Sequence, residues 1–358
     1  MMLNTPHPTL TVAIPTYNEA ANIERIVREF LSTAYPNLIE VFVADGGSTD
    51  GTQDIVKKIS AEDSRVKLIH NPLKIQSAAL NQILQESSGD IYLRLDAHCE
   101  YAPDYIEKSV EALLESGAMD AGGAQRFVAK NYFQAGIALA TKSLVGSGGA
   151  KYRDPNYDGY ADTVFLGCFW RKDLLEISGY SVARNEDAEL NLRLIQKNKN
   201  AIYISSKIKV WYYPRNTWKG LWRQYVKYGR GRCLTHVKHP SIFHLRSRLP
   251  VLLLPIMGLL SILTILDSVM RIGLHFELLI ILALLIPVFD ALRITLQFNR
   301  NFAQEFWRGD ANATPSLAQR FLCCLLALYT MPTAYNVGYL YQLFRIKFMK
   351  KHELIFFE

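Results

Sequence analysis

Residues 39–52 read IEVFVADGGSTDGT, an apolar run that ends in an acidic, glycine-rich turn. Residues 39–44 predict a buried β-strand, because the run is short, apolar and rich in β-branched side chains. The turn that follows, which begins at Asp45, could do no more than cap a helix, since Ser48 or Asp50 suits an N-cap without any further role. The flanking sequence decides between that interpretation and a ligand-binding turn.

Strand-like and helix-like patterns alternate on both sides of this stretch. Further strands are predicted at residues 10–14, 66–69 and 91–95, and helices at residues 23–31, 55–59 and 77–84. The alternation predicts an α/β fold, with a mainly parallel sheet and flanking helices on both faces. Such sheets bind ligands beyond the carboxyl ends of their strands, where Asp45 and Asp96 are both expected.

Four polar clusters stand at the end of a predicted strand or at the start of a predicted helix. They are Pro15-Thr16-Tyr17-Asn18-Glu19, the turn at residues 45–52, Asp96-Ala97-His98 and Asn185-Glu186-Asp187. Each cluster alone has a structural explanation, because short acidic motifs occur by chance and acids are favoured at helix starts. Their joint occurrence in this order predicts a single ligand site.

Asp96 and His98 are two residues apart on an extended chain, so their side chains point to the same side. A carboxylate and an imidazole could hold Mg²⁺ or Mn²⁺, and the imidazole favours Mn²⁺. Such an ion neutralises a diphosphate leaving group, whose charge grows as the bond to a sugar breaks. An acceptor hydroxyl then needs a general base. We expect Asp187 in that role, with Glu186 beside it, because a helix N-terminus favours ionised carboxylates.

The motifs PTYNE, VADGGSTDGT, LDAH and RNEDAELNLRL, within residues 8–235, resemble the ordered landmarks of the inverting glycosyltransferases of family 2. That resemblance implies a GT-A fold, which is Rossmann-like and binds nucleotide sugars. The runs DTVFLGCFWR, YYPR and RQYVKYGRGR are similar to those of succinoglycan-type glucosyltransferases, which extend lipid-linked exopolysaccharide precursors.

The resemblance also implies roles for individual residues. Those expected to bind the nucleotide sugar are Pro15, Tyr17, Glu19, Asp45 and Asp96. Asp96 and His98 occupy the positions of the family's DxD metal motif, and His98 departs from that motif by replacing its second Asp. Asp187 takes the position of the family's general base.

A basic band runs from residue 190 to residue 266, with 14 Lys and Arg and no Asp or Glu, in a chain of net charge +7. It is either a solvated basic face or a surface for phosphates and anionic lipids. Residues expected to contact the acceptor or a diphosphate are Gln224, Arg230 and Arg232. They match the region of the family's QxxRW motif, but the spacing differs and Trp is absent, which favours single-sugar transfer over processive synthesis. Aromatic residues interleave with the basic ones, and beside a membrane segment they indicate an interfacial helix rather than nucleic-acid binding.

Three hydrophobic stretches, at residues 249–267, 272–296 and 318–344, approach or exceed the roughly 20 apolar residues of a membrane span. The alternative for the first two is a buried soluble helix. The last stretch carries Pro332 and polar residues, so it spans, bends or re-enters. We expect two regions, a cytoplasmic catalytic domain at residues 1–235 and a membrane region at residues 236–358, with the orientation taken from the basic band.

The cysteines lack metal-site and disulfide spacing, which suits a reducing compartment, and the short polar start predicts no signal peptide. We expect a multi-pass protein of a prokaryotic inner membrane. It would move glucose or a related hexose from a UDP-sugar to a polyprenyl-diphosphate-linked saccharide, with Mn²⁺ or Mg²⁺. The alternatives are transfer directly to a polyprenyl phosphate, nucleotidyl transfer, and a non-catalytic scaffold.

Overall fold

The computed structural model describes residues 7–147, 149–240 and 249–349. Contacts divide these residues into two compact units. The sheet unit comprises the described residues up to Arg126 and those of Asp154–Tyr212, and the helical unit comprises those of Phe127–Arg153 and of Tyr213–Glu353. The predicted single boundary at residue 235 does not coincide with this division, because residues 127–153 and the helix before residue 240 pack with the hydrophobic helices.

In the described part of the chain, nine strands form one sheet. They are β1 (Leu10–Thr16), β2 (Leu38–Asp45), β3 (Val66–His70), β4 (Ile91–Arg94), β5 (Cys99–Tyr101), β6 (Asp120–Phe127), β7 (Gly159–Tyr160), β8 (Phe165–Trp170) and β9 (Ile202–Tyr212). The strand order is β3-β2-β1-β4-β8-β6-β9-β5, and β7 pairs with β9.

The helices of the sheet unit are α1 (Ile23–Leu31), α2 (Thr52–Glu62), α3 (Gln76–Glu86), α4 (Tyr105–Ser116), α7 (Arg171–Glu176) and α8 (Glu186–Lys197). Those of the helical unit are α5 (Tyr132–Ala140), α6 (Leu144–Ser147), α9 (Trp218–Lys238), α10 (Leu253–Met270), α11 (Glu277–Gln297), α12 (Phe302–Glu305) and α13 (Leu317–Met349). Short 3₁₀ turns cover Lys151–Arg153, Leu249–Leu252 and Ala311–Ala313. Residues 146–158 read GSGGAKYRDPNYD, a composition that predicts a loop, and residue 148 within them lies outside the described residues.

The half of the sheet that the sequence predicted is parallel. β1 pairs with β2 and β4, and β2 pairs with β3, all in parallel register. The other half is antiparallel, since β8 pairs with β4 and β6, and β9 with β5 and β7. The sheet is therefore mixed rather than mainly parallel. Parallel strands still deliver their carboxyl ends to one edge, as predicted.

Among the residues that the structure describes, the three helices α10, α11 and α13 are long and apolar enough to cross a membrane. Their bounds lie close to the three predicted stretches, and most of the α10 surface is exposed apolar side chain. The helix α13 runs without interruption through Pro332 over 33 residues. These helices make the chain a membrane-associated protein.

Candidate active site

The loops that follow β1 and β2 are bound to each other by hydrogen bonds. The backbone N–H of Asn18 donates to the Ser48 hydroxyl at 2.7 Å, and the N–H of Thr49 donates to the Asn18 side chain at 2.9 Å. Asn18 has a positive φ of 55°, a conformation that Asn adopts more readily than most residues. The N–H of Glu19 donates to Thr52 Oγ1 at 2.9 Å. The first two predicted clusters therefore form one structure.

Asp45 is buried at the end of β2 and organises the turn after it. Its Oδ1 accepts hydrogen bonds from the N–H groups of Gly47 and Ser48, each at 2.9 Å, and its Oδ2 accepts the Ser48 hydroxyl. The Tyr17 ring lies against Gly46 and is 55% exposed, which leaves an aromatic face open for stacking. The predicted roles of Asp45 and Tyr17 in donor binding remain predictions, and the geometry leaves room for them.

A chain of contacts joins Asp96, His98 and Glu19 beyond the end of β4. His98 Nδ1 lies 3.3 Å from Asp96 Oδ1, and His98 Nε2 lies 3.0 Å from Glu19 Oε1. Burial raises the pKa of Asp96, but the hydrogen bonds and charge of His98 outweigh it and hold that pKa below its usual value. Burial raises the pKa of Glu19, against the hydrogen bond from Asn22 and the charge of His98. Glu19 is thus a partner of the predicted metal ligand His98.

The fit to a divalent cation differs between the two predicted ligands. Within the described residues, no group of three or more His, Cys, Asp or Glu side chains is arranged to hold an ion. Asp96 Oδ2 accepts no hydrogen bond in that part of the chain, so it can coordinate a hard cation directly. Both ring nitrogens of His98 face carboxylates, so His98 fits a cation only after exchanging one of them. Diphosphate oxygens would have to complete such a site.

Arg94, the last residue of β4, contacts both acids at the start of α8. Its Nη1 donates to Asp187 Oδ1, and its Nη2 lies 3.8 Å from Glu186 Oε1. Arg94 is buried, and its Nε has no hydrogen-bond partner among the described residues. The guanidinium carbon also lies 5.9 Å from the centre of the Tyr180 ring. The structure thus connects Asp187 to the strand that leads to Asp96, through a residue that the sequence analysis did not single out.

The two acids at the start of α8 differ in exposure. The Asp187 side chain is 50% exposed, whereas that of Glu186 is 15% exposed. Burial, together with the negative charge of Asp187, raises the pKa of Glu186 to about 7, against the opposing charge of Arg94. Asp120, also missed by the sequence analysis, is buried at the start of β6, and burial raises its pKa well above the usual value. Arg94, a charged residue within an otherwise apolar strand, was the feature of the sequence that could have revealed this cluster.

A buried ion pair fixes α8 to the chain before it. Glu189 is fully buried and accepts hydrogen bonds from Arg193 Nε at 3.0 Å and from Ser181 Oγ at 2.6 Å. Arg193 Nη2 also donates to the carbonyl of Gly179 at 2.6 Å. These contacts of Glu189 and Arg193 therefore fix the position of the first turn of α8, which carries Glu186 and Asp187.

The residues predicted to contact the acceptor all lie on α9, in the helical unit. Gln224 Nε2 donates to Tyr228 Oη at 3.0 Å, within the same helix. Arg230 Nε donates to Gln342 Oε1 at 3.0 Å, and Arg232 forms a hydrogen bond with Tyr335. Gln342 and Tyr335 both lie on α13. Two of the three residues therefore also bind α9 to a hydrophobic helix, and the predicted acceptor role remains untested.

Several known proteins are similar to this chain in sequence. The family model described as glycosyl transferase family 2 matches residues 11–170. The succinoglycan biosynthesis protein ExoA of Rhizobium meliloti is 37% identical over 249 residues, which cover 68% of this chain and 75% of that protein. A dolichyl N-acetyl-alpha-D-glucosaminyl phosphate 3-beta-D-2,3-diacetamido-2,3-dideoxy-beta-D-glucuronosyltransferase of Methanococcus voltae is 25% identical over 63% of this chain and 73% of its own length.

A solved structure resembles the present one in fold. The mannosyltransferase PcManGT from Pyrobaculum calidifontis, in complex with GDP-Man and Mn²⁺, superposes with a TM-score of 0.54. The likeness covers 95% of this chain and 88% of that one, at 18% sequence identity. The GT-A fold expected from the sequence motifs is confirmed at this level.

Proposed function

Because the chain belongs to glycosyl transferase family 2, and is therefore a glycosyltransferase, we propose that it transfers a hexose from a UDP-sugar to a lipid-linked saccharide. The hexose is glucose or a related sugar, and the acceptor is linked to a polyprenyl diphosphate. Transfer inverts the anomeric centre and serves the synthesis of a cell-surface polysaccharide. The relative named for succinoglycan biosynthesis supports the pathway class.

The observation that carries this proposal is the arrangement around the carboxyl end of β4. Asp96, the carboxylate suited to a cation, stands two residues after Arg94, whose guanidinium contacts Asp187. One short segment thus holds the proposed metal ligand and orients the proposed base. A sugar transfer needs both functions at one anomeric carbon, because the leaving diphosphate and the attacking hydroxyl both meet there.

The proposed roles of the residues follow from their positions. Mn²⁺ or Mg²⁺ held by Asp96 and His98 would supply Lewis-acid stabilisation of the departing diphosphate. Pro15, Tyr17, Glu19 and Asp45 bind the nucleoside. Asp187, half exposed and oriented by Arg94, accepts the proton of the acceptor hydroxyl. Glu186, whose pKa is raised to about 7, is protonated in about half of the molecules at neutral pH, so it carries less negative charge beside the base than an ordinary Glu would.

The membrane supplies the acceptor in this proposal. The three candidate spans support a position at a lipid bilayer, and the basic band before them supports a cytoplasmic location of the sheet unit by the positive-inside tendency. Anionic lipids at that surface attract the same band. The protein would then be a multi-pass protein of an inner membrane.

The alternative acceptor is a polyprenyl phosphate itself, because a dolichol-phosphate mannosyltransferase of Pyrococcus furiosus is 29% identical over 29% of this chain and 30% of its own length. A phosphate oxygen is already ionised near neutral pH, so it needs no general base. Under this alternative, Asp187→Asn retains most of the transfer rate whereas Asp96→Ala abolishes it. Under the main proposal Asp96→Ala abolishes transfer and Asp187→Asn slows it by about 100-fold or more.

The test is a panel of UDP- and GDP-sugars incubated with the full chain in detergent, with and without a bacterial lipid extract. We expect UDP release that depends on a single UDP-hexose, on the extract and on Mn²⁺ or Mg²⁺. Undiminished turnover in excess EDTA would contradict the metal role. Release of pyrophosphate instead of UDP would replace sugar transfer by nucleotidyl transfer.

A further inference from the structure

Arg153, at the end of the 3₁₀ turn Lys151–Arg153, carries a positive charge that has no anionic partner among the described residues. Its Nε and Nη1 atoms are buried and have no hydrogen-bond partner among the described residues. In the same part of the chain, no carboxylate forms an ion pair with it. Buried guanidinium nitrogens without acceptors or a counter-charge are costly, so a functional reason is needed for their place in the fold.

Aromatic rings surround this guanidinium. Its central carbon lies 4.6 Å from the centre of the Phe127 ring and 4.8 Å from that of Tyr152. Tyr225 and Tyr228 of α9 lie near enough to act on its charge, and their own rings meet edge to face at 5.4 Å. We call these five residues the Arg153 site, and all of them belong to the helical unit. Ring faces stabilise a cation, and the Tyr152 side chain also forms a hydrogen bond with the guanidinium, but Nε and Nη1 have no acceptor among the described residues.

The charge around the Arg153 site favours an anionic ligand. Residues 127–153 contain three Lys and one Arg and no Asp or Glu, and α9 contains six Lys and Arg and no acid. Tyr228 is 44% exposed, so the site reaches the surface of the unit. Phosphate oxygens accept several hydrogen bonds at once and pair well with guanidinium groups.

We propose that the Arg153 site binds the phosphate groups of the lipid-linked acceptor. The helical unit that carries the site also carries all three candidate membrane spans, so an anion delivered on a lipid chain reaches it from the bilayer. The residues proposed for the donor diphosphate, Asp96 and His98, belong to the other unit. This inference rests on the proposed function and adds a headgroup contact to it.

The first test measures binding of defined probes to the full chain in detergent, by calorimetry. Farnesyl diphosphate, farnesol, inorganic pyrophosphate and UDP separate the contributions of phosphate, lipid chain and nucleotide. We expect the unmodified protein to bind farnesyl diphosphate at least about tenfold more tightly than farnesol or pyrophosphate, since charged hydrogen bonds and apolar contacts then act together. Equal binding of pyrophosphate and farnesyl diphosphate would overturn the lipid assignment.

The second test uses variants of the site. Arg153→Gln should weaken farnesyl diphosphate about tenfold or more while leaving UDP binding unchanged, and Arg153→Lys should restore part of the loss. Lys151→Gln is the matched control, because it removes one positive charge from an exposed side chain of the same turn. It should bind farnesyl diphosphate normally. An equal loss in this control, or a loss of UDP binding in Arg153→Gln, would overturn the proposal.

Thermal unfolding of each variant shows whether it is folded, and Arg153→Lys keeps the test valid should Arg153→Gln not fold. Failure of the proposed function has a different signature. If no nucleotide sugar is turned over, farnesyl diphosphate binding that depends on Arg153 still supports a phosphate-lipid site. If turnover occurs and that binding is independent of Arg153, only the present inference is wrong.

Discussion

The guanidinium of Arg94 donates a hydrogen bond to the carboxylate of Asp187, although the two residues are 93 positions apart. The contact joins the last residue of β4 to the first turn of α8. Its consequence is that the position of the proposed base depends on the strand that leads to the proposed metal ligand Asp96. A change at Arg94 should therefore affect transfer more than donor binding.

We expect Arg94→Gln to lower the transfer rate by about 100-fold, the scale of losing a general base, with UDP affinity changed little. The substitution leaves the mostly buried Glu186 and the half-exposed Asp187 without their cation, so the free energy of unfolding should fall by about 1–3 kcal/mol. Single-turnover kinetics, UDP titration and thermal unfolding measure the three effects. Loss of UDP binding equal to the loss of transfer would show that Arg94 serves the donor pocket.

The double variant Arg94→Gln with Asp187→Asn tests whether the two residues act as one unit. If Arg94 works through Asp187, the double variant should transfer sugar about as slowly as Asp187→Asn alone, because coupled residues are not additive. Single losses that multiply would contradict the positioning role. Arg193→Gln is the control for a general loosening of α8. It breaks the ion pair with Glu189 but leaves the contact between Arg94 and Asp187 in place.

Asp187→Asn should reduce transfer by about 100-fold or more while UDP binding remains, because an amide cannot accept the proton of the acceptor hydroxyl. Glu186→Gln should be much milder, since the amide resembles the protonated carboxyl that the raised pKa favours. Rates of transfer over pH 5 to 9 compare the two variants. If Glu186→Gln is the more severe, the base is Glu186 and the residue assignment is wrong by one position.

The raised pKa of Glu186 also predicts a dependence of stability on pH. Its folded-state pKa of about 7 exceeds the ordinary value of 4.5, so folding favours the protonated carboxyl. That contribution is complete below pH 4.5 and is lost as the pH rises through 7, and it amounts to on the order of 1–3 kcal/mol. Thermal unfolding at pH 5 and pH 8 should show a larger difference for the unmodified protein than for Glu186→Gln. Identical differences in the two proteins would contradict the raised pKa.

The parallel half of the sheet was predictable because its strands are short apolar runs that end in recognisable polar turns. β2 and the turn at Asp45 are the clearest case, and the observed strand ends on that residue. The antiparallel strands were not predictable in the same way. β6 reads DAGGAQRF, and its Gly123 has no side chain because a Cβ there would fall on the carbonyl oxygen of Ile208. Packing of this kind leaves no periodic pattern in the sequence.

The candidate site was predictable in its motifs and not in its contacts. The acids at residues 186 and 187 and the pair at residues 96 and 98 follow from their places at element ends. The partners of these residues, Arg94 and Glu19, come from distant segments, so local spacing carries no information about them. The run YGRGR in α9 shows the converse. It was interpreted by its arginines alone, whereas Gly229 has a packing role against α13.

His98 should control metal preference rather than metal dependence. His98→Asp restores two carboxylates at the predicted metal motif, and carboxylates suit Mg²⁺ better than imidazole does. We expect turnover of the variant to remain sensitive to EDTA and the ratio of its Mg²⁺-supported to Mn²⁺-supported rates to rise. Asp96→Asn should abolish turnover with either ion. An unchanged ratio in His98→Asp would mean that His98 acts through Glu19 and does not reach the cation.

Gly229 should be essential to the helical unit because α9 and α13 approach each other there at the backbone. A Cβ at Gly229 would fall on the carbonyl oxygen of Tyr335, and one at Gly338 on that of Val226. Gly229→Ala must push the helices apart, so we expect a loss of about 2 kcal/mol or more, measured as a lower melting temperature in detergent. Gly258→Ala in α10 is the matched control, since nothing lies within 4 Å of its added Cβ. Equal melting temperatures for the two variants would show that α9 and α13 do not pack this closely in the membrane protein.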